Sequence, residues 1–290
     1  EVGCGRGEFL KVLTGFPVKA WGVEHRPSLV QEARAEGLCV TEGFAETEDA
    51  VLGSHGPYDV FLSFNFLEHQ PEPGVMLDCI RKNLTEEGMG LITVPSLEYI
   101  LKYDGYYELL RDHIAYYTFD TLRELLRRHG FQVLEEETVN RDTLSVIVRK
   151  TDGEFGPGER TAARVDVSGL RASLAGIRGQ MEELCGRLER EGQSLAIWGA
   201  SHQGFTLAAT TVLKDHARYI IDSAPFKQGK FAPASHLPIL SPKDYHRDPV
   251  DVILIAAPGY TEEIASSIRE RFGGRVRILA MRSNRLEELS

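Results

Sequence analysis

The sequence predicts an α/β protein built from two domains. Apolar runs of strand length alternate with segments of helical periodicity along most of the 290 residues. The alternation is interrupted once, by a stretch rich in Gly and charged residues and poor in large apolar ones. In each half, a strand signal is followed directly by a glycine-rich turn and a helix signal. A chain of this length suits two domains, and strands that alternate with helices indicate parallel sheets.

In the first half, residues 1–150, the strand and helix signals follow one another in order. The helix predicted at 27–36 opens with Pro27, a residue favoured in the first helical turn. The helix predicted at 118–129 is followed by Gly130, a common residue after a helix end. A short connection joins the last two strands, which predicts an antiparallel pair at the edge of the sheet. The predicted strands are 20–24, 58–63, 88–94, 131–136 and 144–149, and the other helical segments are 10–13 and 76–84.

The second half follows a predicted linker at residues 151–164. It begins with a long amphipathic helix at 167–191, which carries one stripe of apolar residues. We therefore expect one domain at residues 1–150 and a smaller one at residues 165–290, both Rossmann-like. The remaining elements are strands at 195–198, 219–222, 252–256 and 276–280, the last of the chain, and a helix at 261–271.

Composition and charge narrow the classes of partner. The formal net charge is −10, which argues against a nucleic-acid-binding surface. No apolar run approaches the about 20 residues that cross a bilayer, so we expect no membrane partner. The four cysteines are widely spaced without a C-x-x-C or Cys/His zinc pattern, so we expect no metal and a cytoplasmic protein with reduced thiols. The chain opens at Glu1 within a strand signal and without Met, and we expect further sequence upstream.

The first candidate site is the run Glu1-Val2-Gly3-Cys4-Gly5-Arg6-Gly7, which precedes the first helix. Glycines here let the backbone turn tightly and let a ligand approach the main chain. The spacing differs from the G-x-G-x-x-G of dinucleotide-binding turns. An acid two residues before the first glycine suits a ligand with a free amino group, such as S-adenosylmethionine (SAM), better than a pyrophosphate.

Three later positions extend this site. Glu24 ends the second strand, 17 residues after the glycine run, where an acid can accept both hydroxyls of a ribose. Phe44 and Ala45, in the sequence Gly-Phe-Ala-Glu of residues 43–46, fall where a third strand should end and could flank an adenine ring. Asn65 lies at the end of the fourth strand.

Taken together, residues 1–150 resemble the class I SAM-dependent methyltransferases. In that family the first glycines line the methionine moiety, the acid of the second strand holds the ribose, and the end of the fourth strand faces the methyl donor. The resemblance implies SAM as the cofactor. It implies the following cofactor-binding residues: Glu1, Gly3, Gly5, Gly7, Glu24, Phe44, Ala45 and Asn65.

Two stretches of the second half carry a more specific pattern. Residues 199–204 read Gly-Ala-Ser-His-Gln-Gly, and residues 222–239 begin Asp-Ser-Ala-Pro-Phe-Lys-Gln-Gly-Lys and end His-Leu-Pro-Ile. The helix after the glycine turn can receive an anion at its N-terminus. Lys227 and Lys230 add positive charge on a loop, and both features suit a phosphorylated substrate.

These stretches resemble the C-terminal domain of the sugar C-methyltransferases, which act on nucleotide-linked deoxysugars of secondary metabolism. The family's zinc-binding, Cys-rich module ahead of the SAM motif has no counterpart in this chain. The resemblance implies a small-molecule substrate, a nucleotide-linked sugar. It implies the following substrate-binding residues: Gly199, His202, Gly204, Asp222, Lys227, Lys230 and His236.

The segment of residues 111–118 resembles the Glu-His-x-x-Tyr-Phe-Ser segment of the same family, whose His is expected to be the general base. C-methylation beside a keto group requires removal of a proton from carbon, which an imidazole can accept. The resemblance implies His113 as the base and Asp112, in place of Glu, as an orienting or polarising group. Leu110 stands where the family commonly has Tyr, and His69 is a second candidate for a chemical role.

The expected function is therefore C-methylation of a nucleotide-linked keto-deoxysugar. Leu110 leaves open an O-, N- or C-methyltransferase that acts on another small metabolite. Another interpretation takes the Gly199 turn and Asp222 as the dinucleotide site of an NAD-dependent oxidoreductase, although the turn lacks the middle glycine of such sites. A further one makes the second domain a binding or oligomerisation module. The oligomeric state and the acceptor atom stay open.

Overall fold

The computed structural model describes residues 1–45, 50, 52–53, 55–152, 165–282 and 284–289. The chain forms two compact units: unit 1 comprises Glu1–Tyr99 and Arg111–Val165, and unit 2 comprises Ile100–Leu110 and Asp166–Ser290. The sequence-based boundaries assigned residues 100–110 to the first domain, whereas the contacts assign them to unit 2. Most of the predicted linker, residues 153–164, lies outside the described part of the chain.

The predicted strands and helices of the first half are confirmed, with bounds that shift by a few residues. The largest shift is at Leu84, which begins a strand although the sequence placed it in a helical segment. The helices are α1 (Glu8–Leu13), α2 (Pro27–Ala35), α3 (Pro73–Lys82), α4 (Leu97–Lys102) and α5 (Phe119–Arg128). The strands are β1 (Gly22–Glu24), β2 (Val40–Glu42), β3 (Tyr58–Phe64), β4 (Leu84–Pro95), β5 (Phe131–Val139) and β6 (Thr143–Lys150).

The opening segment, Glu1–Gly3, lies between two groups of strands in unit 1. The Val2 amide donates to the Leu62 carbonyl of β3 at 2.9 Å, and the Gly3 amide donates to the Val23 carbonyl of β1 at 2.9 Å. The order along the sheet is therefore β2, β1, opening segment, β3, β4, β6, β5. Pairing is parallel up to β4 and antiparallel for β6 and β5, as the short connection between the last two strands predicted.

Helix α5 shows how the local sequence sets an element that borders the site. Thr118 caps its N-terminus, because the Thr118 hydroxyl accepts from the Thr121 amide and the Thr121 hydroxyl accepts from the Thr118 amide. Gly130 follows the helix with a φ of 78°, a conformation that favours glycine. Leu122 and Leu126 are fully buried on the face towards the core.

Unit 2 has a second α/β sheet, so the predicted fold class, two Rossmann-like domains with a smaller second one, is confirmed. The strand order is β12, β11, β10, β7, β8, β9, and all neighbours are parallel except β11 and β12. The helices are α6 (Ser168–Glu191), α7 (His202–Thr210), α8 (Leu213–His216) and α9 (Thr261–Phe272). The strands are β7 (Leu195–Trp198), β8 (Ala217–Ile221), β9 (Ile239–Leu240), β10 (Val252–Ile255), β11 (Arg277–Arg282) and β12 (Arg285–Leu289).

The prediction that 276–280 is the last strand is wrong, because β12 follows it. The sequence of β12 is Arg-Leu-Glu-Glu-Leu, and its side chains are mostly exposed, so it gives no apolar strand signal. An antiparallel backbone ladder with β11 holds this edge strand, and Leu289 packs against the core. Arg277 also donates to both carboxylate oxygens of Glu288 at 3.0 and 3.1 Å. Charged side chains are also a common way to keep an edge strand from pairing with other chains.

Residues 100–110 belong to unit 2 through specific contacts. Tyr106 is buried, and its hydroxyl lies 3.1 Å from the Thr210 hydroxyl of α7. The Glu108 carboxylate accepts from His202 Nε2 at 3.0 Å and from the Gln203 side-chain amide. The sequence of this segment carries no signal of these partners, since they lie about a hundred residues away.

Helix α6 is the longest helix of unit 2. One face of it is buried, with Leu170, Ile177 and Met181 among its members. No helix in the described part of the chain is long and apolar enough to cross a membrane. All four cysteines are free thiols, and three of them are buried.

Candidate functional site

The glycine run of unit 1 forms a turn that only glycine adopts easily. Gly3, Gly5 and Gly7 have φ angles of 74°, 56° and 82°, all in the left-handed region. The turn is closed by a hydrogen bond from the Gly7 amide to the Cys4 carbonyl at 2.8 Å. A Cβ on Gly3 would lie 2.3 Å from the Phe66 ring, whereas one on Gly5 would meet no atom within 4 Å. Gly5 therefore faces open space beside the backbone.

Glu24, at the end of β1, connects the strand to the glycine turn. Its carboxylate is 4% exposed and accepts the Gly5 amide through Oε2 and the Arg26 amide through Oε1, both at 2.9 Å. His25 Nδ1 lies 3.2 Å from Oε1. Each carboxylate oxygen has a second lone pair, so the group can still accept a ligand hydroxyl.

The residues expected beside the adenine lie after β2. Phe44 is half exposed, and its ring stacks on His25 with 4.8 Å between centroids and 26° between planes. Ala45 is partly buried against the core. Glu46, the last residue of the quoted Gly-Phe-Ala-Glu sequence, lies outside the described residues.

Asn65 directly follows β3 and has a left-handed conformation, with a φ of 45°. Its side-chain oxygen accepts the Thr93 hydroxyl at 3.0 Å, which anchors the residue to β4. Non-glycine residues with positive φ cost conformational energy and cluster at functional sites. Asn65, an expected cofactor-binding residue, therefore has a backbone conformation of the kind that clusters at functional sites.

A cavity of about 300 Å³ lies against the glycine turn, lined by Glu1, Gly3, Gly5, Arg26 and Phe64 among others. Burial raises the pKa of Glu1 to about 7. Glu1 Oε2 is buried and has no hydrogen-bond partner among the described residues. A buried carboxylate oxygen without a partner suits a ligand amino group, so these residues fit the methionine end of SAM.

The structure brings His113 together with two residues that lie more than forty positions earlier. The Glu68 carbonyl, in a 3₁₀ turn at Leu67–His69, accepts the Ile114 and Ala115 amides at 2.8 and 3.1 Å. The rings of His69 and His113 meet edge to face, with 4.8 Å between centroids. One donor atom from each of Glu68, His69 and His113 lies within 4.8 Å of the other two. We call these three residues the Glu-His-His cluster.

Backbone contacts fix His69 within this cluster. His69 Nδ1 lies 2.8 Å from the Asp112 carbonyl, which can only accept, so Nδ1 carries the hydrogen. The lone pair of the neutral ring is then on Nε2, which lies 3.9 Å from Glu68 Oε1. Asp112 thus contacts the cluster through its backbone, while its side chain is 76% exposed with Oδ2 3.9 Å from His69 Nδ1.

Glu68 is an unusual member of the Glu-His-His cluster, because an ionisable residue is rarely buried and Glu68 is only 1% exposed. Burial raises its pKa to about 7, against the lowering effects of its own backbone amide and His69. Neither carboxylate oxygen has a hydrogen-bond partner among the described residues, and the same holds for the buried Tyr117 hydroxyl. Burial together with the Glu68 charge raises the pKa of Tyr117 to about 12.

The Glu-His-His cluster is also the one group of described residues whose donor atoms are close enough for a metal ion. Two imidazoles and a carboxylate form a donor set that zinc sites use. The cysteine spacing in the sequence predicted no metal. No such spacing signal exists for ligands that converge from separate segments.

In unit 2, the predicted residues fall into a connected group and a scattered one. Gly199, Gly204 and Asp222 are connected. The Asp222 carboxylate accepts the Ala200 amide at 2.8 Å, and a Cβ on Gly204 would lie 2.1 Å from the Gly199 carbonyl oxygen. The strand, turn and helix therefore pack too closely for any other residue at 204.

Lys227 belongs to the connected group, because its Nζ lies 3.3 Å from Asp222 Oδ2. This ion pair partly balances the lysine charge. His202 instead pairs with Glu108 at 3.0 Å, a partner that the sequence did not predict. Lys230 and His236 are exposed on the loop that follows β8, and His236 has a φ of 57°.

Comparisons with known proteins also divide the chain into two parts. The family described as Methyltransferase domain matches residues 1–136. The family described as C-methyltransferase C-terminal domain matches residues 164–280. C-methyltransferase NovU of Streptomyces niveus is 26% identical over 93% of this chain and 68% of its own length.

Two of the similar solved structures are methyltransferases with ligands. The Burkholderia thailandensis 1,6-didemethyltoxoflavin-N1-methyltransferase, with bound 1,6-didemethyltoxoflavin and S-adenosylhomocysteine, is 21% identical, covers 52% of this chain and 69% of its own, and has a TM-score of 0.41. The Synechocystis magnesium protoporphyrin IX methyltransferase, with bound SAM, is 13% identical, covers 52% and 68%, and has a TM-score of 0.39. Both TM-scores are below 0.5, so these two structures add no argument to the fold described above.

The glycine turn of unit 1 and the sheet around it fit SAM, and a methyltransferase family matches that half of the chain. A second family, found in C-methyltransferases, matches the other half, and one C-methyltransferase aligns across both. The chain is therefore a SAM-dependent methyltransferase, with a methyltransferase domain over residues 1–136 and a C-methyltransferase C-terminal domain over residues 164–280.

Proposed function

We propose that this enzyme transfers a methyl group from SAM to a carbon atom of a nucleotide-linked keto-deoxysugar, with His113 as the general base. The observation that carries the proposal is the position of His113 in the Glu-His-His cluster, next to the strand end at Asn65. A carbon beside a ketone becomes nucleophilic only when a proton is removed from it. An imidazole supported by a buried acid can accept that proton.

The chain's residues divide the work around this step. SAM, when bound, supplies the electrophilic methyl group. Glu1 and the glycine turn would hold its methionine end, and Glu24 would accept its ribose hydroxyls. Phe44 and Ala45 would flank its adenine. Burial of Glu68 keeps water from the side of the cluster that faces the core, and this exclusion strengthens electrostatic interactions there.

The substrate part of the proposal is supported by unit 2. Asp222 organises the Gly199 turn by accepting the Ala200 and Ala224 amides, both at 2.8 Å. Lys227 forms an ion pair with the Asp222 carboxylate, and Lys230, three residues later, is exposed to solvent. Fixed backbone amides with nearby lysines suit a diphosphate, which would leave the keto-sugar free to be presented for methylation. We also propose a cytoplasmic location, in keeping with the four free cysteines.

The direct test is a mass-spectrometric screen for methyl transfer from SAM to a panel of nucleotide-linked keto-sugars. We expect a gain of one methyl group on at least one member, and replacement of His113 by Gln should abolish it. Thymidine diphosphate should slow hydrogen exchange of the backbone amides around 199–204 and 222–230. A panel without any methylated product, together with unchanged exchange, would contradict the substrate assignment.

A C-methyltransferase of another small metabolite is the alternative that a specific observation favours. Leu110 replaces the Tyr that is common in sugar C-methyltransferases, so a hydroxyl group is missing from that position. The same screen should therefore include keto acids and other ketones without a nucleotide. Methylation confined to those compounds would favour the alternative. The oxidoreductase interpretation has no support from either family match, and calorimetry with SAM and NADH would separate the two cofactors.

A further inference from the structure

Two electron-pair donors of the Glu-His-His cluster face each other without a hydrogen bond between them. His69 Nδ1 carries the ring hydrogen, because it lies 2.8 Å from the Asp112 carbonyl, and the lone pair of the neutral ring is therefore on Nε2. Nε2 lies 3.9 Å from Glu68 Oε1, which is too long for a hydrogen bond. A lone pair and a carboxylate oxygen at this distance repel each other unless a cation lies between them.

The burial of Glu68 is a second and independent observation. The residue is 1% exposed, and neither of its carboxylate oxygens has a hydrogen-bond partner among the described residues. A buried carboxylate without hydrogen bonds is costly, and such groups are normally paired with a cation or bind a metal ion. The Glu68 carboxylate therefore offers two oxygen atoms that no hydrogen bond from the described residues uses.

His113 brings a third donor atom to the same place. One atom from each of the three residues lies within 4.8 Å of the other two. Donors around a tetrahedral zinc ion, at bond lengths of about 2.1 Å, lie about 3.4 Å apart. The 3.9 Å between His69 Nε2 and Glu68 Oε1 is close to that spacing, and rotation of the imidazole rings about their side-chain torsions can supply the remaining approach.

The backbone around the cluster supports metal ligands as well. A histidine that binds a metal usually donates its other ring N–H to a carbonyl or carboxylate, which fixes the orientation of the ring and its tautomer. The Asp112 carbonyl does this for His69. The Glu68 carbonyl accepts the Ile114 and Ala115 amides, so main-chain hydrogen bonds join the two segments that carry the three side chains.

We propose that the Glu-His-His cluster binds a divalent transition-metal ion such as Zn²⁺ through Glu68, His69 Nε2 and His113. Two imidazoles and one carboxylate suit Zn²⁺ and similar ions, whereas Mg²⁺ and Ca²⁺ prefer sites made of oxygen ligands. Three protein ligands leave a fourth position of a tetrahedral ion for water.

Metal binding opposes the proposed function at His113. An imidazole that gives its lone pair to a metal ion carries a hydrogen on its other nitrogen, so it cannot accept a proton from the substrate. The metal-bound enzyme should therefore lose methyl transfer, and removal of the metal should restore it. This consequence rests on the proposed role of His113 as the base, whereas the binding site rests on the geometry of the cluster alone.

Calorimetric titration of the chelator-treated full chain with Zn²⁺ measures the site without any substrate. We expect one tight site, whose Kd rises at least about 100-fold in His69→Gln and in Glu68→Gln, because loss of a hydrogen bond to a metal ligand alone costs about 10- to 100-fold. Mg²⁺ should not compete. The matched controls, His216→Gln and Glu72→Gln, remove an exposed imidazole and an exposed carboxylate outside the cluster and should bind Zn²⁺ like the wild type.

Cobalt(II) gives a second readout that needs no variant. Its visible absorption depends on the number and type of its ligands, and a thiolate ligand adds an intense band in the near ultraviolet. We expect the spectrum of a site with nitrogen and oxygen ligands, displaced by one equivalent of Zn²⁺. A thiolate band would place the ion on one of the four free cysteines and overturn the proposal.

The remaining outcomes separate the site from its consequence. Equal Zn²⁺ affinity in the wild type, His69→Gln and Glu68→Gln would overturn the site, and so would an equally large loss of affinity in His216→Gln. Zn²⁺ should reduce wild-type methyl transfer in proportion to its occupancy, and EDTA should restore the rate. Activity that EDTA abolishes would support the site and overturn the competition. If His113→Gln retains activity, the proposed base is wrong, and the calorimetric result still decides the metal site.

Discussion

The two units use the same device at the first strand, turn and helix, but the acid that holds the turn has a different neighbour in each unit. In unit 1 the acid at the end of the next strand, Glu24, accepts the Gly5 amide at 2.9 Å. In unit 2 the corresponding acid, Asp222, accepts the Ala200 amide at 2.8 Å. Each carboxylate therefore holds its glycine-containing turn in place. The difference lies in the next contact, because Asp222 has Lys227 at 3.3 Å whereas Glu24 has His25 at 3.2 Å.

In the proposed function, this difference would let one arrangement serve two ligands. SAM carries a sulfonium and an amino group, and the first turn offers it the carboxylates of Glu1 and Glu24. A nucleoside diphosphate carries negative charge, and the second turn adds lysines to its acid. The turns also differ in backbone: Gly5 leaves open space, whereas Gly204 has none.

The largest effect should come from His113, which tests whether the chemistry belongs to unit 1. We expect His113→Gln to lower kcat by about 10²- to 10⁴-fold, because it removes the proposed base. SAM affinity, measured by calorimetry, should stay within about twofold of the wild type, since the glycine turn is unchanged. A variant with comparable activity would remove His113 from the mechanism.

The next effect concerns the stability of unit 1. The pKa of Glu68 is raised from 4.5 to about 7 on folding, so the folded state binds its proton more tightly than the unfolded state. The resulting stability is fully present below pH 4.5 and is lost as the pH rises through about 7. The loss amounts to about 3 kcal/mol of unfolding free energy.

Denaturant unfolding followed by hydrogen exchange of unit 1 peptides measures this effect. Glu68→Gln should match the wild type near pH 4.5 and exceed its stability at pH 8. Glu72→Gln, which removes an exposed carboxylate four residues after Glu68, serves as the control. Its stability should follow that of the wild type at both pH values. Equal stability of wild type and Glu68→Gln at pH 8 would show that the buried carboxyl finds a compensating charge.

Substitution of Glu24 and of Asp222 tests whether the two glycine turns bind their ligands independently. Glu24→Gln should weaken SAM binding by about 10- to 100-fold, because a charge-assisted hydrogen bond contributes about 1.5–3 kcal/mol. Asp222→Asn should weaken thymidine diphosphate binding by a similar factor. Each variant should leave the other ligand's affinity near the wild-type value in calorimetry. Loss of both affinities in either variant would mean that the two turns do not work independently.

The smallest effects should separate the two turn backbones. Gly5→Ala has room for its Cβ but adopts a φ of 56°, so we expect a loss of about 1–2 kcal/mol in unit 1. Ser201 accepts the Gly204 amide at 3.3 Å as the N-cap of α7, and Ser201→Ala should cost about 1 kcal/mol in unit 2. Thermal unfolding resolves both, and a neutral Gly5→Ala would show that the turn relaxes without strain.

Local patterns predicted much of the fold. The glycine run, Glu24 and the alternation of strands and helices have short-range signals, and the structure places them as expected. The strand β12 has no such signal, because most of its side chains are exposed and its backbone ladder with β11 holds it in the sheet. Residues 100–110 join unit 2 through Glu108, whose partners could not be paired with it from sequence alone.

The candidate site shows the same limit. The motif around His113 marked the segment, but Glu68 lies 45 residues earlier and was only the neighbour of His69 in the sequence. Its importance depends on burial and on the absence of a partner among described residues, which are properties of the folded chain. Lys227 could be predicted as a charge but not as the partner of Asp222.

The backbone link between Glu68 and the segment after His113 has a consequence for recombination between relatives. One carbonyl accepts both the Ile114 and Ala115 amides, so the two segments are complementary at the level of main-chain geometry. A chimaera with a crossover between residues 69 and 112 would join segments with separate histories. Exchange of residues 67–115 as one inherited module, with the rest taken from another parent, should preserve the alignment of His69 with His113.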